Sequence, residues 1–460
     1  MKDVLAKIIN RAVELGADYS EIRAQTLHKT MLTIKEGRVE ATKQGVEEGS
    51  AIRVLVRGSW GFASTGSFES ERLREAITEA CKMARAASLR SKEPVKLSEA
   101  KPVEAKVTLR PKIDPSAVPV EEKIETAIKT NDAVMKYDKR IRSCTVTYLD
   151  ITGQDHFVNS DSAYIEQDKL YVWLAIGATA RQNDVFTFSR ESVGTTAGYE
   201  LFDVESPEKM GTVAAKRAVD QLEAKPPKGG TFPAVLAPNV VGTFVHEAFG
   251  HLAEADLTLS GSVLSGKLGK KLASEMVTLY DDGTIEGAFG SFKYDDEGIP
   301  SQKTMLVKDG VVVGLMHNRE TARKFGAEPT GNARAESFRV EPIIRMRNTI
   351  IAPKDFSFEE MIEDIKFGYY LKSVRGGEAN LDGTFQVGIQ EAYEIVKGEI
   401  GRGVRNASIS GNTLETLHRV DAVGKEFELW PGVCGKGQAA FVCDGGGHTR
   451  VKEVLVGGSA

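Results

Sequence analysis

KPPKGGTFPAVLAPNVVGTFVHEAFGHLAEAD, residues 225–256, divides the chain and carries its most distinctive chemistry. KPPKGG (225–230) is a boundary: proline and glycine interrupt both helices and strands, and lysine does not enter a core. PAVLAP (233–238) reads as a buried strand. The apolar residues that follow open a helix near Asn239 and carry it to about Ala253. Before the boundary the pattern is helix, meander, helix, stated twice. Val4, Leu5, Ile8, Ile9 and Ala12 recur at helical spacing and Gly16 ends the run. Five short β-like runs follow from Tyr19 to Thr65, then a helix from about Glu69 to Arg85. A Lys/Pro-rich stretch at about 89–115 reads as a linker or an extended crossing segment. Helix (120–135), strands (142–189) and helix (207–222) then repeat the order. After the boundary the chain is dominated by β-like runs and glycine turns. DDG (281–283) and KDG (308–310) sit between alternating runs as hairpin signals, and short helices fall at about 320–325 and 358–365.

The expected fold class is therefore α+β. An N-terminal α/β domain (1–224) combines an antiparallel sheet with helices. A β-rich C-terminal domain (231–460), barrel-like or sandwich-like, carries the 239–253 helix.

Composition narrows the function. Of 460 residues, 41% are hydrophobic and 27% charged, which supports folded domains rather than disorder. A net charge of -5 argues against a nucleic-acid partner. Four cysteines do not make a secreted disulfide framework, and Cys81 and Cys144 fall in amphipathic segments as small core residues. MKDVLAKIINRAVELG lacks a signal peptide's apolar run, and no window approaches the ~20 apolar residues of a membrane span. A cytoplasmic protein with no membrane partner is expected.

Among only seven histidines, His246 and His251 lie five residues apart beside Glu247. Two imidazoles and a carboxylate are the parts of a zinc hydrolase: ligands for the ion, and a base for water. The spacing is unusual. Histidines at i and i+4 lie about 40° apart around a helix, whereas i and i+5 lie about 140° apart. Convergence on one ion then needs a π-bulge or an early helix end, and Gly250 allows either. A third ligand is open among Glu254, Asp256 and the distant Cys434, which stands between glycine-rich turns.

These residues carry a resemblance. HEAFGHLAEAD resembles the H-E-x-x-x-H signature of the TldD/PmbA family of metallopeptidases. In order along the chain, DDGTIEG (281–287), YDDEGIPSQ (294–302), PTGNARAES (329–337), RMRNT (345–349), QEAYEIVKG (390–398), VCGKGQ (433–438) and VLVGGSA (454–460) resemble segments of its TldD branch. The resemblance implies a zinc site on His246, His251 and Cys434, with Glu247 as general base. It also implies proteolysis of unfolded or small peptides, including maturation of peptide antibiotics and antitoxin turnover. The site would be enclosed in a cavity by pairing with a related non-catalytic TldE/PmbA-like subunit. A homodimer is the self-paired alternative. CDGGGH (443–448) falls outside the motif, so the resemblance gives Cys443 and His448 no ligand role.

Stabilisers of a developing oxyanion are sought among His317, Arg334 and Arg345. GSVLSGKL (261–268) departs from a phosphate loop at Leu268 and reads as a mobile loop, a lid over the site. YDDEG (294–298) reads as a turn rather than a cation site. Asn406 fits a glycosylation acceptor without a secretion signal, and His28, His156 and His418 stand alone. Two other functions fit the residues: a peptide-binding or assembly protein whose metal is structural, closed by Glu254 or His448, and a metal-dependent amidohydrolase on a non-peptide amide.

Overall fold

The computed structural model describes residues 1–458; the last two residues of VLVGGSA lie outside them. The N-terminal half builds one sheet from two similar units. The first is α1 (Lys2–Glu14), β1 (Tyr19–Lys35), β2 (Arg38–Val56), β3 (Ser59–Thr65) and α2 (Ser70–Ser88). After an edge strand β4 (Glu104–Val107) the second is α3 (Val120–Tyr137), β5 (Ile141–Asn159), β6 (Tyr164–Gln182), β7 (Val185–Thr195) and α4 (Pro207–Glu223). The sheet order is β3-β2-β1-β5-β6, with β4 and β7 both on β6. β1 and β5 run antiparallel from Glu21 opposite Asn159 to Lys35 opposite Thr145 and join the units.

Periodicity explains the packing. In α2 the buried residues Leu73, Ile77, Ala80, Cys81 and Ala84 fall on one helical face, as a helix laid on a sheet requires. Cys144 is buried under α3 and α4 among Val134, Val146 and Ala215. The Lys/Pro-rich stretch is an extended crossing segment, pinned to both halves. Val95 N–H bonds to Gly58 O at 2.8 Å, Ser98 N–H to Arg319 O at 3.0 Å, and β4 adds to β6 in parallel.

The C-terminal half holds two large sheets and a two-stranded ladder in which Ala333–Arg334 pairs with Ile343–Ile344. β8 (Gly230–Leu236) belongs to a barrel; α5 (Pro238–Val245) follows it. Then come β9 (Leu279–Asp282), β10 (Lys303–Lys308), β11 (Val311–Val312), β12 (Asn348–Ile351), β13 (Phe367–Ala379), β14 (Thr384–Val396), β15 (Glu399–Val404), β16 (Ala407–Asn412), β17 (Val420–Val423), β18 (Glu428–Gly435), β19 (Ala439–Gly446) and β20 (Thr449–Gly458). Strands β13-β8-β20-β16-β14 close on themselves as β14 pairs back to β13, giving a five-stranded barrel. Of the two β-rich architectures expected, the barrel is the one formed. The second sheet has the order β11-β10-β9-β12-β19-β18.

Apart from Thr243, every residue of α5 is buried, the signature of a helix enclosed in a core. At Gly242 an added Cβ would meet Gly445 N at 2.4 Å, so the helix approaches the β19 backbone as only glycine permits. The two hairpin signals part company. At KDG, Asp309 and Gly310 both have positive φ, 47° and 82°, and turn β10 into β11. At DDG the chain turns but no hairpin forms: β9 and β10 pair but residues 283–302 intervene. Asp281 is instead a fully buried partner of the fully buried Arg347, 2.7 Å apart. Arg347 also bonds to Thr330 O and Gly331 O, both at 3.1 Å, and so ties β9 to that loop. The sequence reading also missed two short helices, Ala255–Leu259 and Thr413–His418.

Candidate metal centre

The helix that begins at Pro238 does not stay α. Residues His246–Gly250 form a π turn and His251–Ala253 a 3-10 turn. The π turn widens the helix by about one residue per turn, which brings an i, i+5 pair onto one side. The His246 and His251 rings meet edge to face with centroids 5.5 Å apart. Gly250 sits where an added Cβ would lie 2.0 Å from Met346 Sδ, so the turn packs tightly on its neighbour. Cys434, on β18, completes the group. His246, His251 and Cys434 each offer a ligand atom within 4.8 Å of the others, with Cys434 Sγ 3.3 Å from His251 Nε2.

Each member is oriented from behind. Thr349 Oγ1 on β12 lies 3.5 Å from His246 Nδ1. Glu254, fully buried, meets His251 Nδ1 at 2.9 Å. Lys436 holds Glu254 at 3.2 Å and Asp256 at 2.7 Å. Arg345 donates to the Cys434 carbonyl at 2.8 Å and to Gln438 O. Glu254 and Asp256 therefore stand outside the trio, as do Cys443 and His448. Cys443 accepts from Phe289 N–H, and His448 meets the Tyr370 hydroxyl.

Burial opposes charge on all three side chains, yet their mutual attraction prevails. The charges of His246 and His251 draw the Cys434 thiol down to about 4. In return the thiolate lifts His246 to about 9, and thiolate and Glu254 lift His251 to about 10. The thiolate is the form that ligates a metal, and metal binding would release the imidazole protons. Glu247, its carboxyl pushed up by burial, lies 3.7 Å from His251 Nε2. It opens with His246 and Cys434 into a cleft of about 300 Å³ also lined by Arg375, Trp430 and Asp444. Burial lifts the Asp444 carboxyl to about 7.

The three arginine and histidine candidates for oxyanion binding do not line this cleft. Arg345 holds the Cys434 and Gln438 carbonyls, and Arg334 donates to Met346 O at 2.7 Å. His317 is 3% exposed, 3.1 Å from Thr321 Oγ1 and against Phe325. The 261–268 loop does not line it either. Leu264 joins the core and Ser262 Oγ bonds to Leu252 O at 2.9 Å, so the loop is anchored rather than a lid. In YDDEG, Asp295 accepts the Glu297 and Ile299 amides at 2.9 and 2.8 Å, the turn expected.

His317 gives a pH prediction. Burial holds its pKa down to about 4, against about 6.5 in an unfolded chain. Above about 6.5 neither state is protonated, and the group has no effect. Below it the unfolded chain takes a proton that the fold refuses, so stability falls as pH drops towards 4. At pH 4.5 the loss is about 2–3 kcal/mol. Denaturant melts at pH 7 and 4.5 should show a smaller decline by that amount in His317→Asn. Parallel declines would refute the assignment.

Three family models match the chain in succession: PmbA/TldA metallopeptidase domain 1 at residues 20–84, the central domain at 113–222 and the C-terminal domain at 229–458. The chain belongs to the PmbA/TldD family of metallopeptidases. It is 43% identical over 450 residues, 97% of either chain, to a Methanothermobacter thermautotrophicus protein named a metalloprotease. It is 35% identical over 454 residues, 98% of this chain and 99% of the other, to a Saccharolobus solfataricus protein named a zinc metalloprotease TldD homolog. The crystal structure of TldE from Thermococcus kodakarensis superposes with a TM-score of 0.81 over 99% of this chain and 100% of that one. At 22% identity that likeness is one of fold. A metalloprotease needs a metal ion, and the residues here suit one. His246 Nε2 is buried without any hydrogen-bond partner, a costly arrangement that an ion between the three side chains would relieve.

Proposed function

We propose that this chain is a zinc-dependent peptidase that hydrolyses unfolded or short peptides. His246, His251 and Cys434 hold the ion and Glu247 is the general base. The carrying observation is the π turn, which converges two histidines on a cysteine and leaves His246 Nε2 unpartnered. Two imidazoles and a thiolate suit zinc, and three protein ligands are the complement of a catalytic zinc with an open position. A bound zinc would supply a Lewis acid that polarises the scissile carbonyl and makes water a nucleophile near neutral pH. The side chains do the rest. Thr349 and Glu254 fix the two rings, Arg345 fixes the Cys434 backbone, and Glu247 accepts the water proton and returns it to the leaving amine.

The cleft suits an extended chain. β13 pairs with β8 only from Tyr369 to Leu371; beyond that, its cleft-side edge at 373–377 has no strand partner among the described residues. A peptide added there would be held by backbone hydrogen bonds with little side-chain selection. We further propose that the chain works in the cytoplasm, paired with a related TldE/PmbA-like subunit that encloses the cleft, or with itself. Among the described residues no helix is long and apolar enough to cross a membrane.

Elemental analysis of wild type, His246→Ala and Cys434→Ala, with cleavage of an unfolded peptide measured alongside, tests the reading. About one zinc per chain, lost with activity in both variants, is expected. Zinc retained without Cys434 would refute the ligand set. Full zinc with no cleavage, even with the partner subunit added, would favour a structural metal in a peptide-binding protein.

A further inference from the structure

A second cleft, of about 220 Å³, lies between the N-terminal sheet and the C-terminal half, towards the turn of the β18–β19 hairpin at Ala439–Phe441. Its charges do not balance. Arg334 and Arg345 line it, are 9% and 1% exposed, and pair with no carboxylate among the described residues. Unpaired buried cations are costly. The acids around them are already engaged. Lys169 takes Asp155 at 2.9 Å and Arg23 approaches Asp296 at 3.8 Å. Backbone amides occupy Asp295, one of them Ala333 N–H at 3.0 Å, and Ala439 N–H occupies Glu336 at 2.9 Å. Three polar atoms of lining side chains are buried without partners: Arg345 Nε, Gln25 Nε2 and Asp155 Oδ1. The first two ask for an acceptor and the third for a donor. Tyr171, Phe292 and Phe441 add aromatic surface to the lining, and the Arg334 guanidinium lies 5.3 Å from the Phe292 ring centroid.

An occupant that meets all of these demands is an anion, with an N–H group and an apolar side chain next to it. We propose that this cleft binds the C-terminal carboxylate and last side chain of a short peptide. Guanidinium groups take carboxylates through paired hydrogen bonds, and Asp155 faces the amide N–H. Because Arg345 also donates to the Cys434 carbonyl, an occupant would touch the support of the proposed metal ligand. That the occupant is a peptide rests on the peptidase reading; that it is an anion does not.

The test uses the full chain with Glu247→Gln, so that nothing is consumed, and calorimetric titration with three probes. N-acetylphenylalanine carries every feature, its amide lacks only the charge, and inorganic phosphate carries only the charge. The acid should bind at least about tenfold tighter than the amide, and Arg334→Gln should weaken it by a similar factor. Phe441→Ala should weaken the acid but not phosphate. Unfolding midpoints establish that both variants are folded. Equal binding of acid and amide, or undiminished binding to folded Arg334→Gln, would overturn the proposal; phosphate binding as tightly as the acid would overturn the peptide terminus as its ligand. Cleavage of an unfolded polypeptide is measured separately on the chain with Glu247 intact, alone and with the proposed partner subunit added. Cleavage without acid binding removes this subsite alone. Acid binding without cleavage removes the peptidase reading and leaves an anion site.

Discussion

Replacing Glu247 by Gln is expected to lower peptide hydrolysis by about 10²–10⁴-fold, the range for a lost general base, while metal content stays at the wild-type value. The two readouts separate because Glu247 is outside the His246–His251–Cys434 trio but opens into the same cleft. Gln keeps the shape and one acceptor oxygen and loses the ability to take a proton. Burial raises the Glu247 carboxyl, which brings it closer to the neutral range where a base that must also act as an acid is most effective. The result should appear in kcat more than in KM, since the proton moves only during the reaction. Unchanged turnover at full metal occupancy would remove Glu247 from the mechanism and turn attention to Asp444, which also lines the cleft and, unlike Glu191, has no arginine partner among the described residues.

The largest expected effect on stability lies away from the cleft, at Arg347. Arg347→Met should cost about 3–5 kcal/mol, because it leaves Asp281 buried without its charge partner. Both side chains are fully buried, and Asp281 would retain only neutral donors, the Asn332 side chain at 2.9 Å and the Arg347 amide at 2.7 Å. Adding Asp281→Leu should recover part of the loss, since an apolar pair of similar volume replaces a buried ion pair at little cost. Denaturant unfolding of both variants checks this. A loss under about 1 kcal/mol in the single variant, typical of exposed pairs, would show that the pair is not isolated from water.

The parts legible in the sequence were those set by local spacing. Helix α1 followed from apolar residues on one face and α2 from a run of good helix formers, and the doubled helix–meander–helix order was visible before the sheet that joins its halves. The i, i+5 histidine spacing by itself demanded a distortion between His246 and His251, and a π turn stands there. The parts not legible depend on strands meeting across long separations. Cys434 stood with Glu254 and Asp256 as a candidate third ligand, and only family resemblance singled it out, because nothing in spacing links it to residues 183 positions earlier. Thr349 behind His246, and Lys436 behind Glu254, follow from β12 lying between β9 and β19. Local pattern misled in two places. DDG looked like a hairpin turn because Arg347, the charge partner of its Asp281, is 66 residues away. Arg345 looked like a cation of the metal cleft, but it does not line that cleft, and its Nη1 and Nη2 donate to the Gln438 and Cys434 carbonyls.

The separation of Cys434 from the histidines has a bearing on how the chain is made. A polypeptide emerges from the ribosome N-terminus first, and domains fold as they appear. The π turn with its two histidines is available when the protein is little more than half synthesised, but the third member arrives only with β18, close to the end. Until β18 has emerged and paired with β19, the nascent chain has a pair of imidazoles and no thiolate beside them. On the ligand set proposed above, the order of the residues acts as a timer: a growing chain would lack its third metal ligand until β18 is in place.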